Sequence, residues 1–364
     1  MALFTLQFFV TNILFSVIIA TALLRFDRDK THSAPELLMY CLGLGPIGTS
    51  LLLYYGLLLF PRWPVPWYVA AVLGVHLLLA IIGRKQWLRA ARELSTTIKL
   101  TVRKFQGDDR HRKTETAIFS ATIFMALTVF LFFFLSFTLR IPLDETDALK
   151  YGTLGKIFFQ ERSMEYRWIR TYPKSGFYQI NNHAPSFPLL LTWEKMTGSI
   201  FHKDQDVYYK SISAYYAWLI LAVLLFWLSK RSKYLALTGF FALLSTYPFF
   251  VTLFQQHLDS FRIFFLIVSW IYLGYAVIRR DRLSLFLLAL FSGLAAFAHT
   301  IGAVVVIFNV LAFFILVPAP WREKLKDTVF LVTFIIAFGW IHYILDVIWG
   351  FGWIFFKRNL TFWG

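Results

Sequence analysis

Apolar residues run along this chain in blocks, and polar residues gather in the gaps between them. Blocks long enough to cross roughly 30 Å of hydrocarbon fall at residues 4–24, 37–60, 66–82 and 117–137. After a long polar interruption they resume at 212–228, 234–254, 261–278, 283–298, 302–317 and 329–349. The expected architecture is therefore an all-α polytopic membrane protein with about ten transmembrane helices. The first block lacks a basic leader and a cleavage pattern, so it is expected to span. The interruption, residues 140–211, is expected to form a long extracytoplasmic loop containing juxtamembrane helices.

Composition agrees with a lipid-embedded chain. Of 364 residues, 58% are hydrophobic and 20% aromatic, with 41 Phe and 13 Trp. A soluble domain stays nearer half apolar because it must cover its own core. The aromatic excess suits belts at the two membrane–water interfaces. Cys41 is the only cysteine, which excludes a disulfide framework and a cysteine metal cage.

The formal net charge of +16 raises nucleic acid as a partner, and the placement of the charges decides against it. With the N-terminus outside, loops 25–30, 84–113, 230–233, 279–282 and 322–326 hold 22 of the 36 Lys and Arg. The positive-inside bias makes those loops cytoplasmic, where anionic headgroups are the partner. Ten further basic residues lie in the long loop, and long loops translocate regardless of charge. Trp87, Leu88, Leu94, Ile98, Leu100 and Val102 interleave the basic residues of loop 84–113. An interfacial helix is expected there, with a solvated linker as the alternative. Residues 1–111 are expected to be an appended three-span unit and residues 112–364 the functional core.

Chemistry concentrates on the side opposite the basic loops. Pro142 stops a span, and Asp144 is placed to cap a new helix. On that helix Asp144, Asp147 and Tyr151 share one face, with Glu145 turned away from it. Carboxylates against a membrane surface are costly unless paired or used. The loop continues through Tyr166, Arg167, Trp168, Arg170, Tyr172 and Tyr178, a mixture that suits sugar rings and headgroups equally. His183 opens the Pro-rich run that ends at Pro188, and an apolar stretch follows. His257, Asp259 and Arg262 form a polar patch between two blocks. His299 ends another block on the same side, and Lys357 and Arg358 follow the last one. A single His at a helix end is ordinary; several ionisable residues on one leaflet point to a site.

From Asp147 onward the pattern resembles the polyprenyl-phosphate-dependent glycosyltransferases of the GT-C fold, which include protein O-mannosyltransferases and lipid A aminoarabinose transferases. Asp147-Ala148-Leu149-Lys150-Tyr151 is similar to their acidic motif, and His183-Ala184-Pro185-Ser186-Phe187-Pro188 to their Pro-rich segment. The chain departs at Ala148, where Glu is common, so Asp144 or Glu145 is a second source of carboxylate and the register stays open. The resemblance spans roughly residues 116–346 and rests mainly on motif order and topology. It implies Asp147 as general base toward an acceptor hydroxyl, with Asp144 and Glu145 as the other catalytic carboxylates. It implies Tyr151, His183, His257, Asp259, Arg262 and His299 around the substrates, and Lys357 and Arg358 on the donor phosphate. It also implies a polyprenyl-phosphate sugar donor, a glycan, lipid or protein acceptor, and a divalent cation as a further source of positive charge. The active site would face outward from a multi-pass protein of the cell membrane.

Other patterns carry less. Asp204-Gln205-Asp206 has the form of a nucleotide-sugar metal motif but lacks the cytosolic α/β domain, so a helix cap is expected instead. Two other functions remain open: a transporter or flippase for a lipid-linked anion, and a non-catalytic subunit of an envelope assembly machine. Charge deep in the spans would favour transport.

Overall fold

The computed structural model describes residues 1–27, 31–106, 110–141, 146–164, 184–203, 206–247, 249 and 258–348. Within them it describes main chain alone at 94, 97–106, 110–120, 122, 146–148 and 346–347. Every regular element among the described residues is helical. In chain order these are α1 Ala2–Leu24, α2 Ala34–Cys41, α3 Leu44–Leu59, α4 Val65–Gln106 and α5 Arg110–Arg140. Next come α6 Thr146–Glu161, α7 Ser186–Ile200, α8 Val207–Ser229, α9 Lys233–Ser245 and α10 Leu258–Arg279. Then α11 Arg282–Ala298, α12 Thr300–Leu316, α13 Trp321–Ile335 and α14 Ile341–Ile348 complete the series. Single π turns widen α1 at Phe8–Leu14 and join α13 to α14 at Ile336–Trp340.

The chain is a multi-pass membrane protein, with fewer full-length spans among the described residues than the expected ten. Among the described residues six helices are long and apolar enough to cross, or seven if α2 and α3, bent by 55°, count as one span. Three expected spans are short. Helix α9 has 13 residues, and α11 and α12 have 17 each. At about 1.5 Å per residue these reach only about 20–26 Å. The extended backbone of Thr246 ends α9 two residues before Pro248, which disfavours helix on its N-terminal side. Extended His299 ends α11 and starts α12. The helix expected within 84–113 is present and continues the preceding span: α4 runs unbroken for 42 residues through the basic stretch as far as Gln106.

Two compact units form, each drawing on segments from both sides of residue 112. The first comprises Met1–Gly45, Gly74–Glu145 and Lys210–Phe264. Here Phe130 and Phe134 of α5 pack with Ala214, Ala217, Leu221 and Leu225 of α8 and with Ala236 and Phe240 of α9. The break after α2 frees main-chain groups that hydrocarbon cannot solvate. Polar side chains take them up. The Leu42 carbonyl accepts from Ser16 Oγ at 2.5 Å and Tyr215 Oη at 2.9 Å, while the Gly43 carbonyl accepts from Tyr216 Oη at 2.6 Å. At the basic end Asp27 accepts the main-chain N–H groups of Thr31 and His32, and Arg89 bonds Glu93 at 2.7 Å.

The second unit comprises Pro46–Leu73, Thr146–Tyr209 and Phe265–Gly364. Its centre is α11, in which every apolar residue but the half-buried Phe286 is buried. A Cβ on Gly339 would overlap the Gly293 carbonyl oxygen, and one on Gly302 would overlap the Ala295 carbonyl. The π turn and α12 therefore meet α11 backbone to backbone. Asn309 Nδ2 donates to Ser269 Oγ at 3.1 Å and to Ser292 Oγ at 3.0 Å, tying α12 to α10 and α11. Tyr343 Oη donates to the Ala296 carbonyl at 3.0 Å. A second tie joins the turn after α3 to the end of α6: Arg62 N–H donates to the Arg162 carbonyl at 2.7 Å, both residues having positive φ.

Candidate functional site

The acidic motif and the Pro-rich segment meet inside the second unit. Helix α6 begins at Thr146, which places the Asp147 main chain in its first turn and Tyr151 one turn later. Helix α7 begins at Ser186, directly after the Ala184-Pro185 pair. The two helices cross tightly because Gly155 lacks a side chain: a Cβ there would sit 2.6 Å from the Pro188 carbonyl oxygen. Thr192 Oγ1 then donates to the Gly155 carbonyl at 3.0 Å. Tyr151, buried, meets Phe187 edge-on with ring centres 5.9 Å apart. Phe187 in turn lies 4.8 Å from the ring of Tyr209 on α8.

A buried ionisable group continues this cluster. Glu194 of α7 is 1% exposed, and its Oε1 and Oε2 accept the main-chain N–H groups of Tyr208 and Tyr209 at 2.8 and 3.0 Å. The carboxyl thus satisfies two of the first N–H groups of α8 from a neighbouring helix. Burial pushes the Glu194 carboxyl up to about 8, outweighing those two N–H bonds; the nearby Asp206 adds to the rise and Lys195 opposes it. Lys195 Nζ pairs with Asp206 Oδ1 at 2.8 Å, and Lys156 Nζ lies 4.0 Å from Asp206 Oδ2. The Tyr209 hydroxyl is buried and finds no hydrogen-bond partner among the described residues.

No family model, curated protein or solved structure matches this chain.

The remaining expected site residues divide between the units. Asp259 and Arg262 lie in the first, joined by an ion pair of 2.6 Å within the first turn of α10. An acidic residue there also faces the positive end of the helix. His299 lies in the second unit, where its Nδ1 accepts the Ile301 N–H at 3.1 Å. It is therefore the N-cap of α12, a structural duty that requires an unprotonated Nδ1. Asp144, Glu145, His183, His257, Lys357 and Arg358 lie outside the described residues, as does the side chain of Asp147. Among the described residues no three His, Cys, Asp or Glu side chains gather as a metal cage.

Glu194 and Lys195 escaped the sequence reading. Their signal was visible as a charged pair inside the otherwise apolar stretch from Phe187 to Met196. Asp206, expected as a helix cap, sits immediately ahead of α8 and spends its carboxylate on Lys195.

Proposed function

We propose that the chain is an integral membrane glycosyltransferase of GT-C type, moving a sugar from a polyprenyl-phosphate donor to a cell-envelope acceptor on the extracytoplasmic face. One observation carries this reading. Tyr151 of the acidic motif packs on Phe187 of the Pro-rich segment, joining two motifs that lie far apart in sequence. The shared helix α6 also bears Asp147 one turn away from that contact.

Asp147 takes the proton of the acceptor hydroxyl as that oxygen bonds to the anomeric carbon. The bond from that carbon to the phosphate oxygen breaks, and the lipid phosphate leaves with the electron pair. Cations from Lys357 and Arg358 offset the charge it gains. A transferase of this kind lives in the bilayer because its donor cannot leave it.

The test incubates the purified full chain with labelled polyprenyl-phosphate sugars and a lipid, glycan or peptide acceptor. Transfer of label to acceptor is the expected result. Tight retention of the donor with no transfer would favour a flippase or transporter, and neither retention nor transfer would favour an assembly subunit.

A further inference from the structure

The second unit contains a cavity lined by none of the residues named in the chemistry above. It has a volume of about 300 Å³ and opens where α10 ends, α11 begins, α12 ends and α13 begins. Its rim carries three cations, Arg280, Arg282 and Lys326, and three anions, Asp281, Glu323 and Asp327. Leu285, Phe313 and Val317 supply an apolar floor. A volume of this size is at the lower end of small-ligand sites.

Most of the rim charge is already committed to building the walls. Arg280 Nη1 donates to the Pro318 carbonyl at 3.1 Å and its Nη2 bonds Glu323 at 2.9 Å, clamping two loops together. Arg282 pairs with Asp327 at 2.8 Å. Asp281 caps α11, accepting from the Ser284 N–H and hydroxyl at 2.7 and 2.6 Å. Two groups retain capacity. Lys326 is exposed and has no acidic partner among the described residues, and the Glu323 side chain is 58% exposed with room for a second donor.

Charge balance selects the ligand. A plain anion entering here would meet three carboxylates, and a plain cation would meet three basic groups. A zwitterion meets neither difficulty. Lys326 and Glu323 stand three residues apart on one face of α13, with Cβ atoms about 5–6 Å apart. The two carbons of an ethanolamine phosphate bridge such a gap, placing phosphate on Lys326 and the ammonium on Glu323. Ethanolamine rather than choline fits, since only a primary ammonium donates hydrogen bonds to a carboxylate.

The surrounding side chains are of the kind found at lipid headgroups. Exposed Trp321 meets Phe314 edge-on at 5.1 Å, and Arg279 stacks 3.9 Å from the ring centre of Tyr275. Aromatic and basic side chains of this kind mark the level of the membrane–water interface. We infer that this cavity holds the headgroup of an ethanolamine phospholipid, its glycerol over the apolar floor and its acyl chains in the bilayer.

Native mass spectrometry of the full chain, equilibrated with equal amounts of phosphatidylethanolamine, phosphatidylglycerol and phosphatidylcholine, tests this directly. Preferential retention of the ethanolamine lipid is expected. Lys326→Gln should lower it roughly tenfold, the loss of one charge-assisted bond. Glu323→Gln should narrow the preference over choline lipid. Competition with soluble phosphoethanolamine separates the two sources of this chemistry. Equal retention of the three lipids, retention unchanged in both variants, or capture of the soluble compound without the lipid would each overturn the inference.

Discussion

Glu194 Oε1 accepts the main-chain N–H of Tyr208 at 2.8 Å, so a carboxyl on one helix caps the start of the next. Its burial makes that arrangement sensitive to pH. The folded state holds this carboxyl near 8 against an ordinary 4.5, so folding favours the protonated form. The stability it contributes is full below the ordinary value and is lost as pH rises through about 8. Thermal melts of the purified protein across that window should show wild type weakening with rising pH. Glu194→Gln keeps the shape and one acceptor and should flatten the profile. Parallel profiles for the two proteins would remove Glu194 as the cause.

Asp147→Asn keeps the shape and hydrogen bonding of the side chain but removes the basic lone pair. Fold and donor binding should survive, while transfer should fall by about 10²–10⁴-fold, the usual scale of a general base. Asp144→Asn should cost less, and Glu145→Gln less again. A dead Asp144→Asn beside an active Asp147→Asn would shift the base by one helical turn and leave the enzyme class standing. Normal transfer in all three, singly and combined, would remove the glycosyltransferase assignment itself.

Gly339→Ala should destabilise the second unit by about 1–3 kcal/mol or more, because the added methyl meets the Gly293 carbonyl oxygen and two helices must separate. Gly274→Ala is its control. Nothing lies within 4 Å of a Cβ at Gly274, and Ala is the better helix former by about 1 kcal/mol. Thermal melts of the two variants should therefore move in opposite directions. Matching shifts would show that backbone contact does not set the spacing of α11 and the π turn.

Reporter fusions address sidedness. A reporter within residues 84–113 should read cytoplasmic and one near Lys174 external, given that 22 of 36 basic residues fall in alternate loops. The same location for both would sink the proposed topology and the outward-facing site with it.

Hydrophobic blocks were legible because burial in lipid demands unbroken apolar length, and a helix occupies each one among the described residues. Where helices stop was not legible from hydropathy. The block at 37–60 reads as one span, yet the chain bends after Cys41, and at the bend Phe264 fills the space a side chain at Gly43 would occupy. That contact lies more than two hundred residues away in sequence. Loop 84–113 looked separable for the opposite reason. Its charges break the apolar pattern, but Arg, Lys, Glu and Leu are good helix formers and carry α4 onward. In the candidate site the Pro-rich entry to α7 was readable from Pro185 and Pro188. The burial of Glu194 was not, since it depends on where α8 ends up.

The main-chain contact at Gly293, Gly302 and Gly339 has a consequence for how such a chain can change over generations. Exposed positions such as Phe308, Leu311 and Ile315 on α12 face outward, where any apolar residue serves, so their identities are free to drift. The three glycines have no substitute that leaves the helices at the same distance. Kinship to this protein should therefore survive longest as a spacing of small residues, after the letters around them have been rewritten.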